Sequence, residues 1–147
     1  MDVGYFLKQR TVFLRQFYKN SCLEFVEIKR KIEAEEDPFV PPYSEDSEPA
    51  FLEEWTEADD SLNILGYACI SMLSAALHLY LKTWESELQR PAKDKFFRND
   101  GWFNGYRRYF AEEFQIIWED SQVNLLLLEE IVLARNSIQH PQEITIH

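Results

Sequence analysis

Glycine is scarce in this 147-residue chain: four occur, and between Tyr5 and Gly101 there is only Gly66. Sandwiches and small barrels need frequent tight turns, which glycine supplies, so the scarcity disfavours them and favours long helices. Cysteine is nearly as rare. Cys22 and Cys69 are isolated and lack metal-ligand spacing, so no disulfide framework and no metal site is expected. Both read as small core residues in a reducing, cytoplasmic setting. An uncharged apolar run long enough for a bilayer is also missing. Leu62 to Leu81 comes nearest, but His78 and several serines interrupt it, and no membrane contact is expected. The opening residues, with Lys8 and Arg10 in an aromatic stretch, lack the layout of a signal peptide. Gly-rich phosphate loops, H-E-x-x-H and nucleophile elbows are absent as well, which leaves oxidoreductase, P-loop and zinc-protease readings without support. No cofactor is expected.

What the chain does have is apolar mass. Hydrophobic residues make up 46% of it and aromatics 15%, ample for a packed core and incompatible with global disorder. The length suits a single domain over 1–147. The net charge of −11 argues against generic nucleic-acid binding, but it is unevenly spread. Twelve acidic residues and no Lys or Arg lie between Glu33 and Asp60, and the remainder of the chain stands at +1. Leu88 to Arg108 is locally +4, with Arg90, Lys93, Lys95, Arg98, Arg107 and Arg108 against Asp94 and Asp100.

Apolar spacing gives four helices and an all-α class. Residues 2–36 read as one long helix, with Phe6, Phe13, Phe17, Phe25, Ile28 and Ile32 at intervals near three and four. An acidic loop follows, and its Asp37–Pro49 portion holds four of the six prolines. The second helix covers 56–90 and opens on a Thr56–Asp59 cap, with Gly66, Ala68, Ala75 and Ala76 allowing another helix to approach closely. The third covers 103–119. The fourth covers 122–139, begins after an Asp120–Ser121 cap and stops at Pro141. Four antiparallel helices in an up-down bundle is the economical arrangement. The tail from Glu143 to His147 is strand-like or frayed.

The fourth helix carries the chemical signal. Leu125, Leu127, Leu128, Ile131, Val132, Ala134 and Ile138 form one apolar sector at about 100° per residue, and Arg135 projects from inside it. A guanidinium there is costly unless it is paired or opens into a cleft. The simplest pairing is with Glu112, Glu113 or Glu85. Glu129, Asn136 and His140 share a neighbouring sector with Leu126 and Leu133, two leucines that would face outward and so suggest a dimer interface. His140 ends the helix beside Pro141, where the helix carboxyl end favours its protonated form.

Arg135-Asn136-Ser137-Ile138-Gln139-His140 resembles the R-x4-6-H motif of the HEPN superfamily of helical nucleotide-binding and ribonuclease domains. In that family the motif closes the last long helix of an α-helical bundle. The resemblance implies metal-independent RNA cleavage, as in toxin and antiphage ribonucleases. His140 would be the acid or base, Arg135 the electrostatic clamp and Asn136 a positioning donor. The chemistry suits such residues: attack of a ribose 2′-hydroxyl on the adjacent phosphate needs a base, an acid and positive charge on the phosphorane. A homodimer would bring two copies of the pair to one cleft, and the products would be 2′,3′-cyclic phosphate and 5′-hydroxyl ends. An antitoxin or other protein partner is implied as well.

Two further features are weaker. Lys93, Lys95, Arg98, Arg107 and Arg108 alternate with Phe96, Phe97, Trp102, Phe103 and Tyr106, a pairing suited to single-stranded RNA. The simpler account has the rings filling the core and the charges solvated. His78 shares a face with Ser71, Ser74, Lys82 and Glu85, and reads as part of a polar face. The alternatives to a ribonuclease are a non-catalytic HEPN-like domain that binds a nucleotide or protein, and a structural adaptor in which an internal salt bridge locks Arg135.

Overall fold

A computed structural model describes residues 2–43 and 48–139. It is all-helical: α1 spans Val3–Glu33, α2 Leu52–Glu87, α3 Gly101–Phe114 and α4 Leu125–Gln139, with short 3-10 turns at Asp94–Phe96 and Trp118–Asp120. Among the described residues there is no strand. The tail 143–147 lies outside the described residues.

Several helix boundaries have a local cause. The Asp2 carboxylate accepts the Tyr5 N–H at 3.0 Å and starts α1. The helix ends in a Schellman arrangement: Glu35 takes a left-handed φ of 52°, while the Glu36 and Glu35 N–H groups donate to the carbonyls of Lys31 and Ile32. Arg30 and Lys31 in the last turn suit the negative end of the helix dipole. Arg30 also pairs with Glu27 at 2.8 Å and Glu36 at 2.7 Å.

The second helix begins at Leu52, four residues ahead of the sequence expectation. Glu53 and Glu54 occupy its first turn, where carboxylates are favoured. Thr56 is not a cap; its hydroxyl donates to the Leu52 carbonyl at 2.8 Å from inside the helix. Six of the twelve acidic residues from Glu33 to Asp60 therefore lie in helix, while Asp37–Pro49 falls between α1 and α2. The connection from Ala34 to Phe51 includes a cis Asp37–Pro38 bond. Contrary to the expectation that no run is long and apolar enough for a bilayer, α2 contains an 18-residue window of mean hydropathy 1.7 that passes by length and composition, with 22% of it buried within the chain.

The third helix stops at Phe114 because Gln115 turns left-handed at φ 57°, its N–H donating to the Ala111 carbonyl. The segment expected to extend it instead forms the Trp118–Asp120 turn, and Ser121 closes that turn by donating to the Trp118 carbonyl at 2.5 Å. Asn124 is the real cap of α4; its side-chain oxygen accepts the Leu127 N–H at 3.1 Å.

Breaks at Val12/Phe13 and Cys69/Ile70 divide the chain into two compact units. The first holds the start of α1, the later part of α2, α3 and α4. Its core is Leu81, Phe96, Tyr106, Tyr109 and Phe110, with Phe97, Trp102, Phe114 and Trp118 packed against it. Gly105 is buried in α3 against the Phe97 ring and the Phe96 carbonyl. In the second unit Leu14, Cys22, Ala58 and Cys69 are buried, so both thiols are small core residues. Burial holds the Cys69 thiol above its ordinary pKa, and the nearby Cys22 adds to the effect. Lys29 binds Asp59 at 2.5 Å and lies over the Trp55 ring, whose Nε1 donates to Glu33 at 2.9 Å. Gly66 does not serve a close helix approach: a Cβ added there meets nothing within 4 Å.

Candidate functional site

Helix α4 turns Val132 inward to full burial and leaves Arg135 and Asn136 half-buried on the following turn. The Arg135 guanidinium donates to the Asn136 side-chain oxygen at 3.1 Å. None of the three carboxylates expected to neutralise it does so. Glu85 accepts the Tyr106 hydroxyl at 2.6 Å and the Ala92 N–H at 2.8 Å. Glu112 pairs with Lys95 at 3.1 Å, and Glu113 offers its main-chain carbonyl to Arg90. Among the described residues Arg135 has no carboxylate partner, so a locked internal salt bridge finds no support there. Glu129, on the same helix, accepts the Asn104 side-chain amide at 2.8 Å. His140 lies outside the described residues.

A second imidazole stands in the same compact unit as Arg135. His78 on α2 is half-buried and stacks on Trp102, at the start of α3, with ring centroids 4.4 Å apart and planes 13° apart. Tyr106 meets it edge-on at 6.1 Å. Burial pulls the His78 pKa below the ordinary histidine value, and the charges of Lys82 and Arg135 lower it further. On sequence alone His78 reads as part of a polar face. The available signal was its position as the one imidazole in the uncharged run from Ser61 to Leu81, one turn before Lys82.

Tyr106 anchors this region from below. Burial raises its pKa well above the ordinary value, and the hydrogen bond to Glu85 raises it again. Tyr109, fully buried at 0% exposure, is raised chiefly by burial and donates to the Arg90 carbonyl.

The basic stretch does not form one free cationic surface. Arg107 is bound by Glu119, and that hydrogen bond lowers the Glu119 pKa. Arg108 pairs with Asp100 at 2.8 Å and donates to the Phe96 carbonyl at 2.5 Å. Lys95 is taken by Glu112, while Lys93 and Arg98 are exposed. The aromatic residues between them are mostly structural: Phe96, Phe103 and Tyr106 are buried, and only Phe97 and Trp102 are half-exposed. The expected alternation of phosphate contacts and stacking rings therefore reduces to Lys93, Arg98 and parts of two rings.

Among the described residues no three His, Cys, Asp or Glu side chains converge as a metal-binding group. An open cleft of about 600 Å³ in the first unit is lined by Leu77, Trp84, Leu88, Phe110, Ile117, Trp118 and Leu128, and is almost wholly apolar. Leu126 and Leu133 on α4 are 74% and 59% exposed, as their sector on the helix required. Comparison with known proteins finds no family profile, no curated protein and no solved structure that matches this chain.

Proposed function

We propose that the chain is a HEPN-type, metal-independent endoribonuclease that works as a homodimer in the cytoplasm, in a toxin or antiphage role. Its helices would follow up-down order, and an antitoxin or other protein would hold it in check. The observation that carries this reading is the half-buried Arg135 guanidinium at the end of the last helix, hydrogen-bonded to Asn136, matched by no carboxylate among the described residues and five positions ahead of His140. A charge that cannot be titrated away is retained in such a place when an anion visits it. The scissile phosphate is that anion: Arg135 stabilises the developing phosphorane charge, Asn136 fixes the guanidinium, and His140 moves the proton. The exposed Leu126 and Leu133 supply the apolar patch by which a second copy would complete the cleft.

The test is cleavage of single-stranded RNA in EDTA. The wild type leaves cyclic-phosphate ends, and His140→Ala stops cleavage with the melting temperature unchanged. Intact RNA after incubation with a folded, dimeric wild type would overturn the reading.

A second reading, a non-catalytic helical domain that binds a protein partner, is favoured by the apolar cleft and by the pairing of Lys95, Arg107 and Arg108 with carboxylates. Cations already spent on internal carboxylates contribute little to RNA affinity.

A further inference from the structure

We propose that the apolar cleft of the first unit is a binding site for a free, uncharged, single-chain hydrocarbon of about twelve carbons, such as a long-chain alcohol. The cleft is lined by neither Arg135 nor Asn136, so its ligand is independent of the ribonuclease reading.

Length, volume and burial set the size of the occupant. Along α2 the wall runs from Leu77 to Leu88, eleven residues on, which is about 16 Å of helix axis. An extended hydrocarbon advances about 1.3 Å per carbon, so about twelve carbons cover that wall. The space is about 600 Å³, within the range of small-ligand sites and larger than the water-sized voids of ordinary packing. Its deepest lining residues, Leu81, Phe103 and Phe110, are buried, so the cleft reaches the core. Its walls also hold one another: Trp118 packs edge-on against Phe103 at 5.5 Å and tilted against Phe110 at 6.1 Å. A ligand therefore enters a preformed space.

Charge selects the chemistry. No lining side chain is charged, and of the two hydroxyls there, on Tyr80 and Ser121, the second already donates to the Trp118 carbonyl at 2.5 Å. An ionised group placed inside would lose its hydration without a partner, so the inserted part is hydrocarbon. The rim is aliphatic too, with Ile116, Ile117 and Val123 exposed. A docked amphipathic helix needs a polar rim to hold its hydrophilic face, and this one offers only Ser121. The net charge of −11 sets the chain against an anionic bilayer, which leaves a free molecule as the occupant.

The experiment titrates the full chain with ω-bromo-1-alkanols of about eight to sixteen carbons, below their solubility limits, while tryptophan fluorescence is followed. Bromine quenches an indole on contact; Trp84 and Trp118 line the cleft, whereas Trp55 and Trp102 do not. The expected result is saturable, partial quenching by one molecule per chain. Its Kd should fall about fourfold per added methylene up to about twelve carbons and level off beyond. Leu128→Phe narrows the cleft and should move that break to shorter chains. Val123→Asp places a charge at the exposed mouth, where folding is not at risk, and should weaken binding about tenfold or more. Ile64→Asp, on an exposed position of the second unit, should leave binding unchanged. Quenching that never saturates, affinity that climbs evenly to the longest chain, or binding indifferent to Val123→Asp would overturn the proposal. So would the absence of quenching at every length, which would leave the cleft to a protein partner. Quenching confined to dilutions at which a dimer dissociates would give it to a second copy, and preference for phosphatidylcholine vesicles over dissolved alcohol would give it to a bilayer. Either result overturns the free ligand.

Discussion

A methyl group added at Gly105 would run into the Phe97 ring and lie 3.0 Å from the Phe96 carbonyl oxygen, whereas the same methyl at Gly66 would meet nothing within 4 Å. Both glycines are helical, so alanine improves local propensity by about 1 kcal/mol at either place. At Gly66 that gain stands alone, and Gly66→Ala should stabilise the protein by about 0.5–1 kcal/mol. At Gly105 the overpacking costs about 1–3 kcal/mol and outweighs it, so Gly105→Ala should destabilise. Urea unfolding of the two variants should show midpoints displaced in opposite directions. The same scale explains what the sequence revealed of the site. Arg135 stood out because it interrupts an apolar sector, and Asn136 because it follows the arginine. His78 did not, because its stacking partner Trp102 lies 24 residues away in the chain.

All four helices were legible as periodic apolar runs, but three of their ends were placed too late. The expected stops at residues 36, 90 and 119 fall beyond the observed Glu33, Glu87 and Phe114. The reason is the glycine scarcity itself. Helix ends are commonly announced by a glycine in the left-handed region, and here Glu35, Gln89 and Gln115 take that conformation at φ values of 52°, 52° and 57°. Glutamate and glutamine carry no such signal, and the Ile116-Ile117-Trp118 run after Gln115 continues the apolar pattern past the true end. These residues bear a cost of about 1–2 kcal/mol relative to a right-handed conformation. Gln89→Gly and Gln115→Gly should therefore stabilise, each by about 0.5–1 kcal/mol after the greater freedom of the unfolded glycine is subtracted. The start of α4 offers the opposite case. Asn124→Ala removes the bond to the Leu127 N–H and should cost about 1 kcal/mol. Thermal unfolding followed by circular dichroism checks both signs.

At the scale of the molecule, charge and apolar surface point different ways. The acidic residues between Glu33 and Asp60 account for the net charge, while Leu126 and Leu133 remain on the surface of a helix rich in leucine. A homodimer built on that helix predicts that Leu126→Glu with Leu133→Glu yields monomers in sedimentation at concentrations where the wild type is dimeric. RNA cleavage should disappear with the dimer although Arg135, Asn136 and His140 are untouched. A wild type that sediments as a monomer at every concentration would overturn the interface.

The apolar cleft carries a practical consequence. Walled by Trp84, Phe110 and Trp118 and open to solvent, it offers a berth for a fluorescent dye such as anilinonaphthalene sulfonate while the protein is still folded. Glow from that dye normally reports loosened packing. Here the intact chain should already be bright, and a melting curve read from it would begin at its ceiling.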